Sequence, residues 1–146
     1  MTIAKAQLIR GGHFDDNRGR VSFVNDFGFQ GIRRFYCIQH GDTQTVRAWQ
    51  GHQMEHKYFY AVSGSFLIAW VAIDDWHNPS PHLKAESTVL RYDEPAVLHI
   101  PGGYANGLKA LEPGAQLLVY SDQDLEAARH DDWRFNADLW LDWTKY

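Results

Sequence analysis

The sequence is poor in cysteine, in basic charge and in long apolar runs, and each shortage removes a class of protein. Cys37 is the single cysteine among 146 residues, so neither a disulfide framework nor a cysteine-based zinc site is available. A net charge of −4 argues against a nucleic acid or an anionic membrane as the main partner. The most apolar stretch, residues 58–73, is interrupted by Ser-Gly-Ser and is too short to span a bilayer.

The length and composition predict one globular domain. A chain of 146 residues, 45% of them hydrophobic, has room for one core, so we predict a single domain over residues 1–146. No long apolar run follows the first five residues, so no signal peptide is predicted and the cytoplasm is the expected location.

Short apolar or alternating runs, separated by glycine, proline and asparagine, indicate a protein made almost entirely of β-strands. Their number and spacing favour a sandwich or a barrel. The ten predicted strands cover residues 6–9, 21–24, 33–39, 45–49, 57–62, 66–73, 87–91, 97–100, 106–111 and 116–121.

The C-terminal region differs from the rest. We predict one short helix at Leu125–Arg129, with Asp122 as its N-terminal cap. The tail that follows, residues 131–146, is rich in tryptophan and other large apolar side chains. These rings are expected to be buried, either on the outside of the barrel or against a second subunit.

Eight histidines suggest a metal site, but the positions that would hold the metal contain other residues. The segment 50–64 resembles the first metal-binding motif of the cupins, with Gln50 and His52 at the two histidine positions and Lys57 at the glutamate position. The segment 101–106 resembles the second motif, with Asn106 in place of its histidine. Amides are poor ligands for transition metals and an ammonium repels them, so we predict no metal and no other cofactor. A metal-dependent cupin such as a dioxygenase is the least favoured alternative.

An ordered set of short motifs over most of the chain resembles one branch of the cupins, the dTDP-4-dehydrorhamnose 3,5-epimerases and the related sugar 3,4-ketoisomerases. The matching segments are 16–21, 47–50, 72–74, 80–82 and 100–107, together with Lys57. The resemblance implies a cupin-type jelly-roll β-barrel with a short C-terminal helical tail. It also implies a metal-independent isomerase that acts on a nucleotide-linked 4-keto-6-deoxy sugar, in deoxysugar or surface-polysaccharide biosynthesis.

The resemblance also implies roles for individual residues. Arg18 and Arg47 would hold the diphosphate, because the planar arginine fork bonds phosphate oxygens in pairs. Arg34 and Tyr36 share a strand face and would line the same cavity, where Gln50 and Asn106 would bind substrate hydroxyls. Three further residues would carry the chemistry. They are His52 as the base, Lys57 as the group that stabilises the enolate oxygen, and Tyr120 as the acid.

This sequence departs from the family at the catalytic base. The epimerases take their base from the position held here by Gln50, and they orient it with an aspartate from a C-terminal segment that has no match in this sequence. Tyr120 is one residue away from the expected position of the acid, which on a strand means the opposite face unless a bulge intervenes. The alternative hypothesis is therefore a catalytically degenerate cupin that binds a nucleotide sugar without turnover. In both cases we expect a homodimer.

Overall fold

The computed structural model describes residues 4–146, and its strands form two five-stranded antiparallel sheets and one separate hairpin. Residues 1–3, which belong to the N-terminal stretch in which no signal peptide is predicted, lie outside the described residues. The first sheet has the order β1-β9-β6-β11-β4, the second the order β12-β5-β10-β7-β8, and the hairpin consists of β2 and β3. No helix among the described residues has the length and apolar character needed to cross a membrane.

All ten predicted strands are present, with bounds that differ from the predicted ones by a few residues. The strands are β1 (Gln7–Arg10), β2 (Gly12–Asp16), β3 (Gly19–Phe23), β4 (Arg34–Gln39), β5 (Val46–His52), β6 (Lys57–Ser63), β7 (Ser65–Ala72), β8 (Glu86–Arg91), β9 (Ala96–Ile100), β10 (Tyr104–Ala110), β11 (Gln116–Ser121) and β12 (Trp133–Arg134). The sequence did not reveal β2, which has a single large apolar residue, or β12, which is only two residues long. The predicted fold class, an almost wholly β protein of the jelly-roll type, is confirmed.

The main core lies between the two sheets, where alternate residues of each strand point inward. Phe59, Phe66, Leu98 and Leu117 are all at most 1% exposed in this layer. One end of the interior departs from this apolar pattern. There the inward positions of β4, β5 and β6 carry arginine, glutamine, histidine and lysine instead of hydrophobic side chains.

The C-terminal tail covers the outer face of the second sheet, so the first of the two predicted locations for its aromatic rings is confirmed. Trp143 is buried there in a second apolar cluster that also contains Trp49 and Val71. Gly107 makes this close packing possible, because a Cβ at this position would lie 2.7 Å from Cζ2 of Trp143.

The helix α1 (Leu125–Arg129) forms where it was predicted, but its predicted cap is wrong. Asp124 caps the helix, and its carboxylate accepts a hydrogen bond from the Ala127 amide at 2.8 Å. Asp122 lies two residues too early to reach that amide. Its carboxylate instead accepts from the backbone amide of His56 at 2.8 Å, which ties the end of β11 to the β5–β6 loop.

Two histidines meet on the outer face of the first sheet. Nδ1 of His56 lies 2.9 Å from Nε2 of His99, and the ring of Tyr58 stacks on His99 with a centroid distance of 4.4 Å. Burial lowers the pKa of His99 to about 4, and the neighbouring His56 contributes to this shift, whereas Asp122 opposes it. At neutral pH His99 is therefore an uncharged structural residue.

The lowered pKa of His99 makes the fold sensitive to mild acid. Below the ordinary histidine pKa of 6.5, the unfolded chain takes up a proton that the folded chain resists down to about pH 4. We expect the free energy of unfolding to fall as the pH drops through this window, and to change less steeply with pH in His99→Gln. Urea denaturation at several pH values measures this slope of the free energy of unfolding against pH. The exposed His82 provides the control His82→Gln, which should keep the wild-type slope; an unchanged slope in His99→Gln would contradict the prediction.

Candidate active site

A cavity of about 760 Å³ opens where the two sheets separate, between β4 on one side and β5 with β12 on the other. Its walls are largely polar. They include six of the nine residues that the sequence analysis assigned to the site: Arg34, Tyr36, Arg47, Gln50, Lys57 and Asn106. The structure therefore brings together, in one cavity, residues that are spread over half of the sequence.

Lys57 lies at the centre of this group. It is the first residue of β6 and is only 4% exposed, so its ammonium points into the interior rather than into solvent. Its Nζ donates a hydrogen bond to Oε1 of Gln50 at 3.1 Å, across the space between the two sheets. It also lies 5.7 Å from the ring centroid of Tyr36, within the range of a cation–π contact. A desolvated cation held by a neutral amide can stabilise negative charge that develops on a bound molecule.

Gln50 and Asn106 occupy facing positions on adjacent strands of the second sheet. The register between β10 and β5 shifts directly after this pair, so that Leu108 faces Arg47 instead of Ala48. A bulge of this kind changes which side chains point inward. Residues an odd number of positions apart normally point to opposite faces of a strand. The bulge nevertheless brings Arg47, the predicted anion-binding residue three positions before Gln50, to the same cavity.

Arg47 is held by a histidine that was not among the predicted site residues. Its Nε donates to Nε2 of His40 at 2.8 Å, so that ring nitrogen must be unprotonated. Burial lowers the pKa of His40, and the Arg47 guanidinium lowers it further. His40 thus stays neutral and fixes one end of the guanidinium. The Nη atoms at the other end bond no other residue of the described chain and can meet an anionic ligand.

His52 points to the same side of β5 as Gln50 but does not line the cavity wall. It is 4% exposed, and its Nδ1 lies 2.7 Å from the backbone oxygen of Asp131. A carbonyl oxygen only accepts, so Nδ1 carries the proton and Nε2 carries the free lone pair. Burial lowers the pKa of His52, and the nearby Lys57 ammonium lowers it further. The residue is therefore a neutral imidazole, and its buried Nε2 has no hydrogen-bond partner within residues 4–146.

Glu55, which the sequence analysis missed, joins His52 to the cavity. Its carboxylate is fully buried, accepts from Nη2 of Arg34 at 3.2 Å and lies 3.1 Å from Nδ1 of His52. It also accepts a short hydrogen bond from Ser121. The sequence places a glutamate in the β5–β6 loop but carries no signal that this loop folds inward, so only the structure reveals the contact.

Arg134 is a second residue that the sequence analysis missed. It lies on β12, next to Gln50 in the register, and its side chain lines the cavity. Asp132, two residues earlier, accepts from Nε of Arg134 at 2.8 Å and from Nε2 of Gln50 at 3.0 Å. The tail thus contributes a third arginine to the cavity, beside Arg34 and Arg47.

The structure does not bring Tyr120 or Arg18 into this cavity. Val119 and Ser121 point inward on β11, so Tyr120 points outward, where it packs against Phe27 and Phe29. No bulge reverses this orientation, because β11 pairs with β4 in unbroken register. Arg18 lies at the tip of the β2–β3 hairpin, where it is 83% exposed and pairs with Asp16.

The donor groups in the cavity do not fit a divalent cation. The positions that would hold a metal carry the Gln50 amide, the Asn106 amide and the Lys57 ammonium, which repels cations. Over the described range, no group of three or more histidine, cysteine, aspartate or glutamate side chains is arranged to hold a metal ion.

Solved structures of sugar-modifying enzymes share this fold. The rmlC epimerase of Mycobacterium tuberculosis superposes with a TM-score of 0.79 at 20% identity, over 98% of this chain and 76% of that chain. A mutant of the 3,4-ketoisomerase QdtA of Thermoanaerobacterium thermosaccharolyticum, in complex with TDP-4-keto-6-deoxyglucose, superposes with a TM-score of 0.70 at 20% identity, over 92% of this chain and 90% of that chain.

A third structure, dTDP-4-dehydrorhamnose 3,5-epimerase of Bacillus anthracis with TDP and PPi bound, gives a TM-score of 0.75 at 16% identity, over 91% of this chain and 79% of that chain. No protein-family model matches the sequence, and no curated protein matches it either. At these identities the likeness concerns the three-dimensional structure. The chain has the cupin barrel fold of the dTDP-sugar epimerases and 3,4-ketoisomerases.

Proposed function

We propose that this chain is a metal-independent epimerase or ketoisomerase that acts on a nucleotide-linked 4-keto-6-deoxy sugar. The observation that carries the proposal is the Lys57 ammonium, which is 4% exposed in a polar cavity that three arginines also line. Such a cavity suits a substrate with a diphosphate at one end and a carbonyl oxygen at the other. The fold shared with dTDP-sugar enzymes supports the same substrate class.

The proposed reaction is a proton transfer next to the ketone. Nε2 of His52 removes the proton from the carbon beside the C4 carbonyl; the electron pair of the C–H bond forms a carbon–carbon double bond to C4, and the π electrons of the carbonyl move to its oxygen. The Lys57 ammonium stabilises the resulting enolate. We assign the returning acid to Tyr36 rather than to Tyr120, because Tyr36 lines the cavity within cation–π distance of Arg34 and Lys57. Return of the proton to the opposite face of the sugar ring inverts the carbon, whereas return to the original face restores the starting sugar.

A second candidate is a cupin that binds the nucleotide sugar without turnover. It is favoured by the position of His52, whose Nε2 is enclosed and does not line the cavity wall. In this case the arginines hold the diphosphate, and Gln50 and Asn106 bind sugar hydroxyls through their amides.

One experiment separates the two candidates. The protein is incubated with dTDP-4-keto-6-deoxyglucose in D₂O, and deuterium incorporation at C3 and C5 is followed by NMR, while TDP binding is measured by calorimetry. We expect the wild type to exchange protons, His52→Gln to bind TDP without exchange, and the exposed-site control His82→Gln to behave as wild type. Binding without exchange in the wild type, with several keto sugars, identifies the non-catalytic module. Absence of both binding and exchange overturns both candidates.

The proposal includes a homodimer, supported by the β2–β3 hairpin. Phe14 and Val21 face each other on one side of this two-stranded ribbon and are 59% and 63% exposed. An isolated hairpin with an uncovered apolar face is unstable in water. Arg18, at its tip, does not line the cavity of its own chain, and in the proposed dimer it would contact the diphosphate in the cavity of the second copy. Analytical ultracentrifugation should show a dimer that Phe14→Ser with Val21→Ser dissociates and that Ser22→Ala, on the opposite face, leaves intact. A monomeric wild type refutes this part of the proposal.

The biological setting follows from the proposed substrate. Deoxysugar or surface-polysaccharide biosynthesis in the cytoplasm remains our prediction for the pathway and the location of the protein.

A further inference from the structure

Gln50 connects two charged groups that do not touch each other. Its Oε1 accepts from Nζ of Lys57 at 3.1 Å, and its Nε2 donates to Oδ1 of Asp132 at 3.0 Å. The amide therefore has a cation at its acceptor end and a carboxylate at its donor end. The opposite orientation would place the NH₂ group against the ammonium and the oxygen against the carboxylate, so this contact pattern fixes the amide.

The three residues belong to three different elements. Lys57 begins β6 in the first sheet, Gln50 lies on β5 in the second sheet, and Asp132 directly precedes β12 in the tail. Arg134 bonds the same Asp132 carboxylate, with Nε at 2.8 Å from Oδ1 and Nη2 at 3.3 Å from Oδ2. A continuous hydrogen-bonded chain thus runs from the exposed guanidinium on the tail, through the carboxylate and the amide, to the enclosed ammonium.

Lys57 depends on this chain for its position. Gln50 is the one protein hydrogen-bond acceptor of its Nζ in the described part of the chain, and the ring of Tyr36 is a weaker contact. A long lysine side chain has several rotamers, and fixing one of them requires a directional partner. A glutamine whose other end is held by a carboxylate offers such a partner, because its oxygen can no longer rotate away.

We propose that Gln50 and Asp132 are positioning residues, which hold the Lys57 ammonium in the cavity through an oriented amide. The inference rests on the proposed function for its consequence in catalysis, but the positioning itself is a property of the free protein. It also gives a chemical reason for the amide at position 50. A neutral group that cannot titrate keeps both hydrogen bonds over the whole physiological pH range.

The positioning can be observed without any substrate. A lysine ammonium that is buried and hydrogen-bonded exchanges its protons slowly and gives a ¹H–¹⁵N correlation at low temperature and mildly acidic pH. The sequence contains five lysines, and the Lys57 signal is assigned as the one that Lys57→Arg removes. Lys109 is an internal reference, because its buried Nζ donates to the backbone oxygens of Trp143 at 3.0 Å and Tyr146 at 2.7 Å.

Two variants test the chain, each with a matched control. Gln50→Met keeps the length of the side chain and removes both hydrogen bonds, while Asp132→Asn keeps the shape and removes the charge that orients the amide. The controls are Gln53→Met and Asp138→Asn, since both residues are exposed and hydrogen-bond through their backbone amides rather than their side chains.

We expect proton exchange at Lys57 to accelerate at least about tenfold in Gln50→Met, the factor that corresponds to one lost charge-assisted hydrogen bond. A smaller acceleration is expected in Asp132→Asn. The Lys109 signal and both controls should not change. With a keto sugar that the wild type turns over, kcat of Gln50→Met should fall about tenfold while KM stays within about twofold, because Lys57 acts on the transition state.

The outcomes separate this inference from the proposed function. If Lys57 gives no slow signal in the wild type, or exchanges at the same rate in Gln50→Met, the positioning role is refuted whatever the protein catalyses. If the exchange rates change as expected but no keto sugar reacts, the positioning role stands and the proposed reaction fails.

Discussion

Lys57→Met is expected to reduce turnover of a 4-keto sugar by about 10³-fold, the loss found when a single donor to a developing oxyanion is removed. The ammonium is the cation with the least exposure among the cavity residues, and a desolvated charge acts more strongly than one in water. The binding of TDP should change much less, because the arginines that would hold the diphosphate are still present.

The same substitution should not weaken the fold. The buried ammonium is bonded to an amide rather than to a carboxylate, so removing it also removes its desolvation cost, and the free energy of unfolding should stay constant or rise. Lost activity with retained stability is therefore the expected signature. It is measured by steady-state kinetics together with urea denaturation. Lys84→Met is the matched control at an exposed position and should change neither. Wild-type turnover in Lys57→Met would remove this residue from the mechanism.

Asp131→Ala is expected to lower the free energy of unfolding by about 3 kcal/mol, which is a large effect for a residue outside the apolar core. The carboxylate accepts three hydrogen bonds from consecutive backbone amides, those of Gln53 at 2.7 Å, Met54 at 2.8 Å and Glu55 at 2.9 Å. Its own backbone oxygen bonds His52 at 2.7 Å. Alanine leaves the three amides without this acceptor at a site where Asp131 is only 9% exposed.

The consequences of this change should extend to the cavity. The loop that Asp131 holds carries Glu55, which in turn contacts Arg34 and His52. Denaturant titration of Asp131→Ala, of Asp131→Asn and of the exposed-tail control Asp138→Ala measures the effect. Asp131→Asn should lie between wild type and alanine, because its amide oxygen still accepts but its NH₂ group opposes a donor. If the alanine variant loses no more stability than Asp138→Ala, the three hydrogen bonds are not important for the fold.

The strands could be predicted from the sequence because their signals are local. Alternating residues in β6 and β11 and a continuous apolar run in β7, each bounded by turn residues, are enough to place these strands, and the ordered motifs identify the cupin barrel. β2 and β12 carry no such signal. Phe14 is the one large apolar residue of β2 and most of that strand is exposed, whereas β12 consists of two residues whose pairing with β5 depends on the course of the tail.

The site was predicted in part, for a related reason. Gln50, Lys57 and Asn106 were found because motif positions mark them. Glu55, Asp132 and Arg134 were missed because their roles arise from contacts between segments distant in sequence, such as Gln50 and Asp132, which are 82 positions apart. Tyr120 was misplaced because successive residues of a strand point to opposite faces, so an uncertainty of one position decides whether a side chain enters the cavity. The structure resolves it, since Val119 occupies the core and Tyr120 the outer surface.

The tail that covers the second sheet has a consequence for optical measurements. Five of the six tryptophans lie in close groups on this face, with ring centroids 5.5 Å apart in the pairs Trp49–Trp140, Trp49–Trp143 and Trp76–Trp133. Trp70 alone belongs to the core between the sheets. Indole fluorescence and near-ultraviolet circular dichroism therefore report mainly on the docking of residues 133–146. A spectroscopic transition can then mark release of the tail while the barrel itself is still folded.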